Sequence, residues 1–166
     1  MKNNPVKNTG NTVKIFLVFV LTLLCSCAHQ PLPTLDLNSG AWQVVRGQAL
    51  WQAAADRPKI AGDVLLAKDN LGNRYIEFVK SPVVIFIAQT HNNRWLLKMI
   101  DTGKVHQGRG TPPDQFIWFY LPELLFEKTP LPDENWQIIE QTADSLTMKN
   151  VAKGAHIRVI LDSPLI

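Results

Sequence analysis

From Trp42 onward, apolar and polar residues alternate with a period of two, the pattern of strands that bury one face. In VVRGQALWQA, Val45, Gly47, Ala49 and Trp51 share a face; in KIAGDVLLAK, Ile60, Val64 and Leu66 do. DNLGN then supplies a turn, because Asn and Gly take positive φ at little cost. RYIEFVK resumes the alternation, with Ile76 and Phe78 opposite Tyr75 and Val79. Ser81-Pro82 interrupts it, since proline has no amide proton for a ladder. VVIFIA, residues 83–88, is apolar on both faces and predicts a strand covered on both sides. After the turn THNNR, RWLLKMI brings Trp95, Leu97 and Met99 together, and TGKVHQGRG reads as a short polar strand or loop.

The rhythm changes at TPPDQFIWFYLPELLFEK, residues 111–128. Thr111 suits a cap, the prolines suit a first turn, and Asp114 suits the positive end of a helix dipole. Phe116, Ile117, Trp118, Phe119, Leu121, Leu124, Leu125 and Phe126 spread over nearly every side, which predicts a buried helix that Pro122 kinks or splits. WQIIEQ, SLTMKN and AHIRVIL then read as three more strands, the last with Ile157, Val159 and Leu161 opposite His156, Arg158 and Ile160. About nine strands, one late helical segment and no βαβ rhythm predict a mainly β fold, an antiparallel sheet curled around a helical insertion.

Upstream of this body the pattern is different. Residues 1–14 are polar and basic, and IFLVFVLTLLCS follows, an uncharged run of 12 that stops at Cys27. A membrane-spanning helix needs about 20 apolar residues, so this run suits the core of a secretory signal. Leu24-Cys25-Ser26 before Cys27 resembles the lipobox of bacterial lipoproteins, with Leu three residues ahead of the cysteine and a small residue directly ahead. Cys25 fits less well, because the bulky Leu24 precedes it. The resemblance implies removal of residues 1–26 and acylation of Cys27, and two or three acyl chains hold a protein at a membrane where one does so marginally. The competing readings are an uncleaved anchor with free thiols, a strained disulfide across one residue, or a zinc site for which further ligands are missing nearby. Ala28 at the second position resembles the pattern of outer-membrane sorting. Residues 27–40, with AHQPLPTLD, read as a tether, and residues 41–166 as one domain.

Charge then changes the picture once. The chain is formally +3, but three of its 17 lysines and arginines (Lys2, Lys7 and Lys14) precede Cys27, and none of its 14 acids does. The rest carries 14 of each sign, interspersed, which leaves no basic stripe for a nucleic acid.

The search for catalytic chemistry yields little. His29 lies in the tether, His91 in a turn, and His106 and His156 alternate with polar neighbours. No HExxH, CxxC or GxSxG is present, GKVHQGRGTPP does not follow a strand-to-helix phosphate pattern, and Asp133-Glu134 sits in a loop. Neither metal nor cofactor is implied. A carboxylate pair assembled from distant strands stays open to sequence reasoning, and so does a hydrolase using His106 or Asp133. The stronger signal is apolar. Five tryptophans and an all-round apolar segment suit either a filled core or a greasy cavity for a small ligand.

Taken together, the lipobox, Trp51, Gly62 opening an apolar strand, the Asn70-Leu71-Gly72 turn, Trp95, Gly108 before the proline-rich segment, and Leu131-Pro132 before Trp136 resemble the LolA/LolB-like lipoprotein carriers, especially the membrane-anchored LolB branch. The likeness spans nearly all of residues 40–162. It implies an open antiparallel half-barrel with helices as a lid, which in this chain becomes a cover by a helix kinked at Pro122. It further implies a periplasm-facing, outer-membrane lipid anchor, binding of lipid or lipoprotein acyl chains, and a periplasmic carrier protein as partner. Trp51, Val64, Leu66, Phe78, Ile85, Ile87, Trp95, Leu97, Phe116 and Phe119 are the expected cavity lining. Leu71 matches the family's exposed membrane-engaging loop, although a leucine there also has the option of tucking under its turn. The chain departs from the family in the short Asp- and Asn-flanked tip and in the break at Pro122. The alternative to a carrier is a non-catalytic envelope scaffold that meets a protein partner through residues such as Trp118 or Phe126.

Overall fold

Nine strands pair in one antiparallel sheet in the computed structural model, which describes residues 32–164. The signal segment 1–26, Cys27 and the first residues of the tether lie outside the described residues. The strands are β1 (Trp42–Gln52), β2 (Ile60–Asp69), β3 (Arg74–Lys80), β4 (Val83–His91), β5 (Arg94–Met99), β6 (Val105–Arg109), β7 (Trp136–Gln141), β8 (Ser145–Asn150) and β9 (His156–Leu161). Their order is β6-β5-β4-β3-β2-β1-β9-β8-β7, so β6 and β7 are the two edges and the sheet is open. Residues 110–135 connect those edges, and their apolar side chains form one core with those of the sheet.

The alternation read from the sequence sets which face is covered. Val64, Leu66, Ile76, Phe78, Leu97, Ile157 and Val159 are buried, while the residues between them point outward. Turn chemistry fixes the register. Asp69 Oδ1 accepts the amides of Leu71 (2.9 Å) and Asn73 (2.8 Å), and Gly72 takes φ +80°, closing the β2–β3 hairpin. Asn92 and Asn93, both at positive φ, close the β4–β5 hairpin with the twist that two-residue turns favour. Gly108 has a packing role. It lies opposite Trp95, and a Cβ there would stand 2.7 Å from the Trp95 ring, so the indole lies flat across the glycine.

Two expectations need correction. The segment 111–128 is not one helix kinked at Pro122 but two short pieces, the split that the proline also allowed. It holds a 3-10 turn at Ile117–Tyr120 and then one short α-helix, α1 (Leu121–Phe126). Pro122 sits in the first turn of α1, where the missing amide proton costs no hydrogen bond, so it starts the helix instead of bending it. The second concerns β4. Phe86 pairs with Phe78 and Ala88 with Ile76, which places these two on the covered face and turns Ile87 outward beside Glu77 and Lys98. Ile87 is half-buried there and Val83 is exposed, so β4 is not covered on both sides.

Candidate functional site

The covered face is built differently at its two ends. At the end where β2 finishes and β3 begins, Leu66, Ile76, Ala88, Phe119, Leu121 and Leu124 are all but inaccessible to solvent. Polar contacts hold the cover down there. Arg74 pairs with Glu123 and donates to the Phe119 carbonyl (3.2 Å), Lys68 pairs with Glu127, and Gln141 Nε2 donates to the Leu124 carbonyl (2.9 Å). Tyr120 ties the approach to the 3-10 turn, its hydroxyl lying 2.5 Å from the Pro112 carbonyl and 3.1 Å from Asp114 Oδ1. Burial, and then the bond to Asp114, pushes that phenol up to about 12.

At the other end the core is aromatic. Trp118 of the 3-10 turn meets Phe86 (4.7 Å between ring centroids), Phe78 (5.5 Å) and Trp51 (5.8 Å), the Phe86 and Trp51 contacts being edge-to-face. Beside them lies a hollow of about 300 Å³, walled mainly by Trp51, Phe86, Leu97, Met99, Phe116, Trp118 and Trp136. Its polar lining comes from His106, Gln115, Asp133, Asn150 and Lys153, and includes no serine, threonine or cysteine. Asp133 Oδ1 accepts from the Asn135 amide (2.9 Å) and side chain (2.8 Å), which commits it to the turn into β7.

Of the residues expected to line a cavity, Trp51, Leu97 and Phe116 lie on this hollow. Val64, Leu66, Phe78, Ile85, Trp95 and Phe119 are packed into the shared core, and Ile87 is on the outer face. Sequence reasoning missed Phe86, Met99, Trp118, Trp136 and Lys153 as lining. Trp118 was visible as part of the apolar segment, whereas Phe86 was hidden because its strand is apolar on both faces.

Leu71 stands at the opposite end of the sheet. Because Asp69 holds the hairpin tip through backbone amides, the leucine has nothing to pack under and is 86% exposed. Trp42 pairs with Asp69, so the tether reaches the sheet beside this tip, while Trp51 pairs with Ile60 near the hollow.

Titration is perturbed at two further places. The Tyr75 phenol is pushed well above its usual value by burial and by its bond to Glu77 (2.6 Å). The His156 imidazole is pushed down by burial and by Lys59, Lys149 and Arg158 around it. Among the described residues, no cluster of three or more His, Cys, Asp or Glu is placed to hold a metal ion, and no helix is long and apolar enough to cross a membrane.

Comparison with protein-family models and with curated proteins gives no match for this chain.

Proposed function

We propose that this is a lipid-anchored envelope protein of LolA/LolB-like half-barrel type that binds an acyl chain in the hollow beside Trp118. The carrying observation is the hollow itself: about 300 Å³ walled mainly by apolar side chains, beside a part of the core where Leu66, Ile76, Phe119 and Leu121 are inaccessible to solvent. That volume stands at the lower limit of small-ligand sites, which run from ~300 to ~1,000 Å³ and combine apolar walls with a few polar groups at one side. The lining holds no hydroxyl or thiol nucleophile, which favours binding over hydrolysis through a covalent intermediate.

The anchored half of the proposal rests on the lipobox before Cys27 and on the placement of Leu71. With acylated Cys27 in the outer membrane, facing the periplasm, the tether would reach the sheet beside the Leu71 hairpin. That end then lies toward the bilayer and the hollow away from it. A periplasmic carrier that hands over a lipid or lipoprotein would reach the hollow from the aqueous side.

The test uses the full-length chain in envelopes exposed to a photoactivatable diazirine fatty acid. Crosslinks should fall on the peptides holding Met99, Phe116 and Trp118, and Ala155→Leu, which adds bulk to the hollow wall, should remove them. Crosslinks confined to the outer face, or unchanged by Ala155→Leu in a chain that melts normally, would overturn the proposal. Cys27→Ser should separately release the chain from the membrane fraction.

A further inference from the structure

Charges that are interspersed along the chain are sorted by the fold. The two hairpins at the ends of the strand order are β5–β6, residues 94–109, and β7–β8, residues 136–150. The first carries Arg94, Lys98, Lys104 and Arg109 against a single acid, Asp101. The second, with the turn that leads into it, carries Asp133, Glu134, Glu140 and Asp144 against a single base, Lys149. A domain with equal numbers of each sign therefore has one basic and one acidic edge. Lys104, Arg109, Glu134 and Glu140 take part in neither of the two ion pairs found among the described residues.

The backbone of both edges is open. β6 and β7 each pair on one side only, which leaves a row of amide and carbonyl groups without a ladder partner. Gln137, Ile138, Ile139 and Glu140 are exposed in succession on β7, and Val105 is exposed on β6. Charged residues on an edge ordinarily deter further pairing. Here the deterrent is selective: β6 repels β6 and β7 repels β7, whereas β6 of one copy attracts β7 of another. An antiparallel register that sets Val105 opposite Ile139 also preserves the facing of both strands. His106 and Ile138 then share the covered face with their ladder partners Leu97 and Met148, and Gln107 and Gln137 share the outer face with Leu96 and Lys149. Lys104 comes opposite Glu140, and Arg109 comes within one residue of Glu134.

We propose that copies of this chain associate head to tail through these edges, β6 of one against β7 of the next, as a continued antiparallel sheet. The pairing is heterologous, so it builds short rows instead of closing as a symmetric pair. A five-residue strand makes a small contact beside the ~1,200–2,000 Å² of stable interfaces. The association is accordingly transient and salt-sensitive, and it is strengthened where a membrane anchor, the one part of the proposed function it draws on, holds copies on a common surface.

The experiment places the photocrosslinking residue p-benzoylphenylalanine at Gln137 of the full-length chain in bacterial envelopes. Irradiation should give a dimer-sized product joined to the peptide that holds Val105–Arg109. Glu134→Lys with Glu140→Lys in the same chain should lower that yield about fivefold or more, as expected when two exposed charge contacts turn from attractive to repulsive. Co-expression with a chain carrying Lys104→Glu and Arg109→Glu should restore the yield, which a misfolded variant would not allow. A product of monomer size, a dimer joined β7 to β7, or no crosslink at all would overturn the proposal, and so would a yield that the charge reversals leave unchanged. Each of those outcomes leaves acyl binding in the hollow intact.

Discussion

The two ends of the covered face use the same sheet and the same connecting segment, yet only one of them is closed. Under α1, leucines, Ile76 and Phe119 interdigitate, and Arg74, Lys68 and Gln141 hold the helix from three strands. Under the 3-10 turn, four aromatic rings meet partly edge to face, and its link to the strands is the Arg74 bond to the Phe119 carbonyl, with neither the Arg74–Glu123 nor the Lys68–Glu127 pair on the turn itself. On the proposed reading, the cover is a fastening at one end and a binding site at the other.

The largest effect should come from breaking the closed end. Phe119→Ala, at a fully buried position, is expected to cost about 3–5 kcal/mol, whereas Met99→Ala, at the half-open rim, should cost far less than the ~2–5 kcal/mol usual for a buried methionine. Denaturant melts of the two variants measure the contrast, and equal costs would remove the distinction between the ends.

Arg74→Gln comes next. It removes an ion pair and a charged hydrogen bond to the Phe119 carbonyl at a largely buried site, for an expected loss of about 1.5–3 kcal/mol. A loss indistinguishable from zero would mean that packing alone holds α1.

A smaller, pH-dependent effect belongs to the outer face near the hollow, where His156 lies opposite Gln52 and Lys149. Its imidazole titrates below the ordinary histidine range in the folded chain, through burial and the neighbouring Lys59, Lys149 and Arg158. At neutral pH both states are unprotonated and nothing is lost. As pH falls below 6.5 the unfolded chain takes up the proton first, so stability should decline until the folded imidazole also protonates. His156→Gln should flatten that decline between pH 7 and 5 in thermal melts. An unaltered slope would show that other groups set it.

The smallest effect on folding is expected at Leu71, whose replacement by Asp should change stability by less than ~0.5 kcal/mol because the side chain packs on nothing. Its consequence should appear only at the membrane. A Leu71→Trp chain in vesicles of chain-brominated lipid should be quenched at that residue, and an unquenched tip would remove the hairpin from the bilayer.

Much of this architecture was legible because a half-buried strand writes its facing into a period of two. Ile157, Val159 and Leu161 could be assigned to the core from alternation alone, and the Asp69–Asn73 turn from its side chains. Legibility failed where the period carried no information. In VVIFIA both faces are apolar and a bulge beside Phe78 shifts the register, so alternation alone does not tell Ile87 from Phe86. Around Trp118 every side is apolar, and only packing decides that the chain there makes a 3-10 turn and that α1 begins at Leu121. Lys153 left no trace at all, since an exposed lysine in a loop looks like any other until the fold brings it to the rim of the hollow.

The account stands most directly on whether hydrocarbon enters beside Trp118. Three tryptophans, Trp51, Trp118 and Trp136, line that hollow, so a chain-brominated laurate titrated into the full-length protein in unbrominated nanodiscs reports on it through their fluorescence. The predicted result is saturable quenching that Ala155→Leu abolishes. Quenching that rises linearly without saturation, and equally in both chains, would contradict it.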